Sequence, residues 1–320
     1  MRRPQFAYLV WLATTVVSCN TTEPAMSSPS TPPTIVSSFK QLRGGAAQVI
    51  AAGEPLAVIG GRLVTWWEGD APVEVPLPPN VDPYGARWTA DHKLLRVGLG
   101  AVDVAAKVWR AEPALQSMDP VGPSQTQPVQ RTAWFGDGVH VAIVKEARDP
   151  RGARSTELVI ADTAGKVRGR HALPGMVTAI IASQDRVLVD ASKLLVFDLD
   201  GKLVAEPNLS ALRINEGGGM FAVTLTGGHG VSLLRPSDGS VIATWSLAAN
   251  DAVPVPRGVV AVTDDGTVHV GCIAGSSIAE KATAKSGATG PIIQRVGNRL
   301  VVAGGTVDPV HVAAFTSPCS

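Results

Sequence analysis

The sequence predicts an all-β protein built from a repeated four-stranded unit, and three observations lead to this prediction. Gly (33) and Pro (24) are frequent while aromatic residues make up only 5% of the chain, a composition typical of short strands joined by turns. Apolar, β-branched runs recur between turns rich in Gly, Asp and Asn, without helical periodicity. These runs begin about 41 residues apart on average, and such a period with four strands per unit is typical of a β-propeller.

The apolar runs and the hairpins that follow them define the repeat. A second strand, a tight turn and a third strand follow each run, as in residues 194–209 (LLVFDLDGKLVAEPNL), and a weaker strand precedes it, as in residues 177–183. We therefore predict a propeller with seven four-stranded blades, and six or eight blades would require that one unit is misread. The runs begin near residues 56, 94, 140, 186, 221, 258 and 300.

The two ends of the repeat region predict how the ring closes. Residues 35–42 (IVSSFKQL) form a strand-like segment before the first unit, and after residues 309–315 only TSPCS follows, which leaves the last blade without an outermost strand. We predict that the N-terminal strand is the outermost strand of the last blade. Closure of this kind removes sheet edges that would otherwise invite aggregation.

Residues 1–18 have the pattern of a signal peptide. Two arginines, Arg2 and Arg3, precede an apolar run at residues 6–17, which spans only about 18 Å as a helix and is too short for a bilayer core of about 30 Å. The next residues, Val16-Val17-Ser18-Cys19, resemble a bacterial lipobox, with Val16 where Leu is commonest. The resemblance implies that Cys19 is lipidated and becomes the mature N-terminus. An ordinary secretory signal with a chance cysteine is the alternative.

Residues 19–34 are predicted to be a disordered tether for a propeller at residues 35–320. The segment is rich in Ser, Thr and Pro and has little hydrophobic content to offset the entropy of ordering. Asn20 after the cysteine points to the outer membrane in the enterobacterial sorting pattern. The predicted location is therefore the cell envelope, with a lipid anchor in the outer membrane.

The turns of the repeat resemble those of known propeller families. Residues 159–167 (VIADTAGKV) and 197–204 (FDLDGKLV) are similar to PQQ-like repeats, and residues 235–245 (RPSDGSVIATW) also have a late tryptophan, as WD40-type repeats do. The Gly-His and Trp-Asp pairs of WD40 repeats are missing. The resemblance implies the fold over about 285 residues and no cofactor. Outer-membrane assembly scaffolds of the BamB type are similar in architecture, although they have eight blades.

The cysteines and histidines are candidate site residues. Cys272 and Cys319 are predicted to form a structural disulfide in an oxidising envelope compartment, which would restrain the unfolded chain by roughly 4 kcal/mol. Two free buried thiols are the alternative, and a redox or metal role lacks a CxxC spacing. His269 and His311 occupy equivalent strand positions, but no third ligand accompanies them, so no metal site is predicted.

Trp66 and Trp67 are a candidate surface anchor for a partner. Neighbouring residues of a strand point to opposite faces, so one ring is expected between blades while the other is available for recognition. The alternative is that both rings lie in the core. No catalytic residue is predicted, because the sequence contains no GxSxG, P-loop or HExxH motif.

Charge and composition restrict the function classes. Lys and Arg number 28 against 27 Asp and Glu, a net charge of +1 that argues against nucleic acid as the main partner. We predict a scaffold that binds another envelope protein through propeller loops and contacts the membrane only through its lipid. The alternatives are a secreted hydrolase or lyase, and a binder of small ligands or glycans, each with its site at the channel mouth. Convergent carboxylates, a histidine or a metal there would favour an enzyme.

Overall fold

Antiparallel hairpins make up nearly all of the regular structure in the computed structural model, which describes residues 35–43, 47–79, 81–117, 131–148, 154–304 and 309–319. The chain divides into two units, residues 1–33 and 34–320, and every described element belongs to the second. The predicted signal peptide, Cys19 and the tether lie outside the described residues. None of the described helices is long and apolar enough to cross a membrane.

The described residues contain 28 strands and one short α-helix. The first half contains β1 (Lys40–Gln41), β2 (Val49–Ile50), β3 (Ala57–Gly60), β4 (Leu63–Glu68), β5 (Ala71–Pro76), β6 (Arg87–Trp88), β7 (Leu94–Val97), β8 (Gly100–Asp103), β9 (Val108–Ala111), α1 (Pro113–Gln116), β10 (Arg131–Trp134), β11 (His140–Arg148), β12 (Arg154–Asp162) and β13 (Val167–Leu173). The second half contains β14 (Ala179–Ala182), β15 (Arg186–Asp190), β16 (Leu194–Asp198), β17 (Leu203–Ala205), β18 (Ala211–Gly217), β19 (Met220–Leu225), a 3-10 turn at Thr226–Gly228, β20 (Val231–Leu234), β21 (Val241–Trp245), β22 (Asp251–Val255), β23 (Gly258–Val262), β24 (Thr267–Ala274), β25 (Ser277–Lys285), β26 (Ile292–Val296), β27 (Arg299–Ala303) and β28 (Val310–Ala314).

The all-β propeller is confirmed, but the prediction of seven separate four-stranded blades is wrong. The structure has five separate four-stranded blades, formed by β2–β5, β6–β9, β10–β13, β14–β17 and β1 with β26–β28. The other eight strands, β18–β25, form one continuous sheet in the order β18-β19-β20-β21-β25-β24-β23-β22. The sequence pattern had divided this sheet into two independent units.

A long outer hairpin explains the eight-stranded sheet. Strands β24 and β25 are 8 and 9 residues long, so the tip of their hairpin extends to β21. There Thr244 pairs in parallel with Ser277, and the Thr244 amide donates to the Ser276 carbonyl oxygen at 3.0 Å. Trp245 packs in the same apolar cluster as Ile278. Pairing between outermost strands is a tertiary contact that repeat spacing does not report.

The N-terminal strand is the outermost strand of the last blade in the structure. Lys40 and Gln41 pair with β28, and Val36 forms a further bridge with Phe315. Ile35, Val36 and Phe39 pack against the apolar cluster that β22–β24 form with β26 and β27. The two ends of the propeller chain are therefore joined by hydrogen bonds and by a shared core.

The apolar runs of the sequence are the second strands of the blades, where both faces are covered. β23, for example, is buried along its whole length, because neighbouring blades pack on each side of it. Asp-Gly sequences form two of the turns between third and fourth strands, at residues 200–201 and 238–239. In the first of these, the Asp198 carboxylate accepts from the Asp200 and Lys202 amides, at 3.0 and 2.9 Å. Gly201 in this turn has φ +72°, a conformation that L side chains rarely adopt. The innermost strands of the blades surround a central channel.

A disulfide joins Cys272 on β24 to Cys319, which follows β28. The two Cα atoms are 5.3 Å apart, within the usual range for a disulfide. Gly258 on β23 pairs with Cys272 on β24, and a Cβ at residue 258 would be 2.6 Å from the Cys319 sulfur. The bond therefore attaches the C-terminal segment to the eight-stranded sheet at a position where a glycine leaves room for it.

Candidate functional site at the channel mouth

A cavity of about 330 Å³ lies in the channel at the N-terminal ends of the innermost strands. We call it the mouth cavity. The innermost strands are β2, β6, β10, β14, β18, β22 and β26, and each of them, or the residues just before it, contributes to the lining. The lining residues are 48–50, 52, 84–86, 131, 178–181, 212–215, 250–251 and 292–294.

Two arginines line the mouth cavity on either side of β14. Arg131 begins β10, donates from Nη1 to the Thr178 carbonyl oxygen, and lies over the Tyr84 ring at 5.8 Å from its centroid. Arg213 on β18 is half-buried, and no hydrogen bond or ion pair joins its guanidinium to any residue in the described ranges. One arginine is thus held in place, while the other has donors available to the cavity.

Asp251 is a buried carboxylate that joins three innermost strands. Its Oδ1 accepts from Asn215 Nδ2 at 2.8 Å and from the Ala252 amide at 3.0 Å, and its Oδ2 accepts from the Ile293 amide at 3.0 Å. Burial raises the pKa of Asp251 to about 6, although the charge of Arg213 and these hydrogen bonds act in the opposite direction. Its oxygens are therefore used to hold β18, β22 and β26 together.

Asp82 has a corresponding role on the other side of the ring. Its Oδ1 accepts from the Tyr84 amide at 3.1 Å and its Oδ2 from the Thr132 amide at 3.3 Å, which links the segment before β6 to β10. Burial raises the pKa of Asp82 to about 6, against the opposing effects of the Tyr84 amide and the Arg131 charge. The two carboxylates with raised pKa values both connect neighbouring blades.

An ion pair crosses the channel below the mouth cavity. Arg87 on β6 pairs with Glu216 on β18, and its Nη2 also donates to the Ala182 carbonyl oxygen at 2.8 Å. Both side chains are mostly buried, with 12% and 18% of their surface exposed. Because Glu216 lines a second cavity of about 210 Å³ at the opposite channel end, the pair lies where one cavity ends and the other begins.

The tryptophans predicted as a surface anchor both pack against apolar clusters. Trp66 is 2% exposed and belongs to the cluster between the blades β2–β5 and β6–β9. Trp67 is half-buried, packs against the cluster shared with the last blade, and donates from Nε1 to the Arg43 carbonyl oxygen at 3.0 Å. The structure therefore places the two rings on opposite faces of one blade, and both lie away from the mouth cavity.

The histidines lie on the outer part of the propeller. His269 Nδ1 is 2.7 Å from Glu280 Oε2, on the neighbouring strand β25, and its ring lies edge-on to Trp245. His311 lies on β28, close to Gly287. Within the described ranges, no group of three or more His, Cys, Asp or Glu side chains is placed to hold a metal ion.

Sequence reasoning did not find the residues of the mouth cavity. Arg131, Arg213 and Asp251 lie on the weak strand of each unit, which has little periodic signal, and they come from distant parts of the chain. The one available signal was the position of charged and amide residues within otherwise apolar innermost strands, as in residues 211–217 (ALRINEG).

Several solved structures are similar to this chain over nearly its whole length. A chain in a structure of the mitotic checkpoint complex has a TM-score of 0.63 at 11% identity and covers 95% of this chain and 99% of that one. The Cps50 (Swd1) propeller of Myceliophteria thermophila has a TM-score of 0.58 at 14% identity, with 88% and 100% covered. BamB from Moraxella catarrhalis has a TM-score of 0.51 at 14% identity, with 88% and 98% covered. At these identities the similarity shows the fold.

No protein-family model matches the sequence, and no curated protein matches it either. The propeller resemblance of the repeats is thus confirmed at the level of fold, through similarity to WD40 and BamB propellers. The lipobox resemblance concerns residues outside the described ranges and stays a prediction.

We expect the Asp251→Asn substitution to remove a pH dependence of stability. The folded state raises the pKa of Asp251 from 3.8 to about 6, so its contribution to stability is complete below pH 3.8 and is lost as the pH rises through 6. The free energy of unfolding of the wild type, minus that of the variant, should therefore fall by about 2 kcal/mol between pH 4 and 7.5. Urea unfolding across this range measures the difference.

Asp91→Asn is the matched control for this measurement. The pKa of the exposed Asp91 carboxyl is lowered, chiefly by the hydrogen bond from the Thr89 hydroxyl. The contribution of Asp91 to the stability of the fold is therefore lost only as the pH falls below the ordinary pKa of an aspartate. The corresponding difference for Asp91→Asn should stay nearly constant above a pH of about 4.5. If the difference in the free energy of unfolding between wild type and Asp251→Asn is also independent of pH, the pKa of Asp251 is not raised in the folded protein.

Proposed function

We propose that this chain is a lipid-tethered protein of the bacterial cell envelope whose propeller binds another envelope protein. The sequence supports the location through the apolar run at residues 6–17, the lipobox pattern ending at Cys19, and the Ser-, Thr- and Pro-rich residues that follow. A tether of this composition would let the propeller reach partners near the membrane.

The rim of the mouth cavity is the observation that carries the binding proposal. Tyr84, Met176 and Leu212 are 43%, 59% and 50% exposed, and they lie at or just before the N-terminal ends of three innermost strands. Arg131 lies beside Tyr84 in the same rim. Exposed Tyr, Met and Arg side chains around a depression have the composition typical of protein interfaces. The partner surface should therefore present apolar side chains together with acidic groups.

The similar solved structures are consistent with this use of the fold. One of them is a chain of a protein assembly, the mitotic checkpoint complex, and another is BamB. Their folds support a propeller that serves as an interaction module. The partner of this chain has to be identified on its own, because fold alone does not determine a binding partner.

Asp251 in the mouth cavity and Asp82 near it do not favour the enzyme alternative. Each oxygen of Asp82 and of Asp251 accepts a backbone amide hydrogen. Neither carboxylate is therefore placed as an unoccupied general acid or base. No histidine is among the described residues that line the cavity.

Crosslinking in the native membrane tests the proposal. We would place a photocrosslinking residue at Tyr84 in the full chain and identify the products by mass spectrometry. A matched probe at Val139, which is 44% exposed in the turn between β10 and β11, reports the opposite end of the innermost strands. We expect one or a few reproducible envelope proteins at Tyr84 and not at Val139, with lower yield in the Cys19→Ala variant.

The same experiment has outcomes that would contradict the proposal. Absence of any reproducible product at Tyr84 would exclude the rim as the binding surface. Equal yields from the Cys19→Ala variant, with the protein still recovered in the membrane fraction, would exclude the lipid tether.

A further inference from the structure

We propose that the mouth cavity is a binding site for a carboxylate carried on a compact apolar group. Such a site requires neither the lipid tether nor a particular protein partner. It consists of Arg213, whose guanidinium has no hydrogen bond within the described ranges, the anchored Arg131 and the apolar side chains beside them.

Arg213 is the central group of this site. Its half-buried side chain lines the cavity, and its charge acts on the nearby Asp251 carboxylate. Within the described ranges, no hydrogen bond or close ion pair occupies the guanidinium donors. The nearby carboxylate of Asp251 already accepts three hydrogen bonds, from Asn215, Ala252 and Ile293. A guanidinium that is partly removed from water, with its donors available, is most strongly satisfied by the two oxygens of a carboxylate.

Arg131 supplies a second cation at a fixed position. Its hydrogen bond to the Thr178 carbonyl oxygen and its contact with the Tyr84 ring hold the guanidinium before any ligand arrives. Preorganisation of this kind lowers the entropy lost on binding. Arg131 and Arg213 flank β14, whose residues 178–181 lie between them in the lining.

The remaining wall and the floor define the size of the ligand. Val49, Ile181, Leu212 and Ile292 line the cavity beside the arginines, so an apolar group is accommodated next to the charge. The Arg87–Glu216 pair crosses the channel below. A cavity of about 330 Å³ has the volume of a small-ligand site, and it also fits the last residue of a peptide.

Two sources of this chemistry can be separated by calorimetry on the full chain in detergent. The first pair of probes is N-acetyl-leucine and N-acetyl-leucinamide, and the second is a peptide ending in leucine with a free or an amidated C-terminus. We expect each acid to bind about 10- to 100-fold more tightly than its amide, because the amide cannot accept a bidentate charged pair. Tighter binding of the peptide acid than of N-acetyl-leucine would identify a chain end as the source, and the reverse would identify a small acid.

Arginine variants assign the binding to the cavity. Arg213→Gln should weaken acid binding about 10- to 100-fold and leave amide binding unchanged. Arg170→Gln, on the outer strand β13 with its side chain 50% exposed, removes the same charge away from the channel and should have no effect. If Arg213→Gln does not fold, Arg213→Lys retains the charge but not the planar pair of donors, and it should still weaken acid binding.

Three results would overturn the proposal. These are the absence of binding by both acids, equal affinities for acid and amide, and unchanged acid binding in a folded Arg213 variant. Each differs from a negative crosslinking result at Tyr84, because calorimetry with these probes requires neither a membrane nor a protein partner.

Discussion

Removing residues 1–42 should lower the free energy of unfolding by on the order of 5 kcal/mol, compared with removing residues 1–34. The longer deletion takes away β1 and the partly buried side chains of Ile35, Val36 and Phe39. It also removes the hydrogen bonds that residues 35–42 form with β28 and with Thr316. A loss of this size is a large part of the stability of an ordinary domain. Chemical denaturation of the two proteins measures the difference.

The shorter deletion is the matched control, because it leaves every described contact of the closing strand in place. The longer deletion also uncovers the edge of β28, so it should aggregate at concentrations where the control stays monomeric. Phe39→Ala in the full chain provides a milder test, with an expected loss of about 1–3 kcal/mol. Equal stability of the two deletion proteins would show that residues 35–42 do not close the ring.

The Cys272→Ala, Cys319→Ala double variant should be less stable than the oxidised wild type by about 4 kcal/mol. The two cysteines are separated by 47 residues, so the bond removes considerable freedom from the unfolded chain. The double variant loses both the covalent bond between the C-terminal segment and the eight-stranded sheet and the contact between the Cys319 sulfur and the Gly271 carbonyl oxygen at 3.6 Å. Urea unfolding with and without a reductant measures the effect.

Reductant provides the internal control for the disulfide. It should destabilise the wild type by nearly the same amount as the double substitution and should leave the double variant unchanged. Thiol titration of the denatured, oxidised protein should find neither Cys272 nor Cys319 reactive. Two reactive thiols, or a wild type insensitive to reductant, would contradict the bond.

The sequence predicted most of the fold because the repeat is local. Apolar second strands and Asp-Gly turns recur within about 40 residues, and each hairpin depends on neighbours in the chain. The role of residues 35–42 could be predicted too, because the last unit lacked an outermost strand of its own. The joined sheet β18–β25 could not be, since the pairing of Thr244 with Ser277 depends on how far two outer hairpins extend in space.

The candidate site was decided by tertiary structure alone. Arg131, Arg213 and Asp251 are distant in sequence and lie on strands with weak patterns, and only the closed ring brings them to one cavity. The sequence by itself determined the strand repeat, the Asp-Gly turns and the signal-like N-terminal pattern, because each depends on neighbouring residues. The structure decided which blades share hydrogen bonds, which carboxylates are buried and which arginine of the cavity has no hydrogen bond in the described ranges, because these depend on the distances between segments after packing.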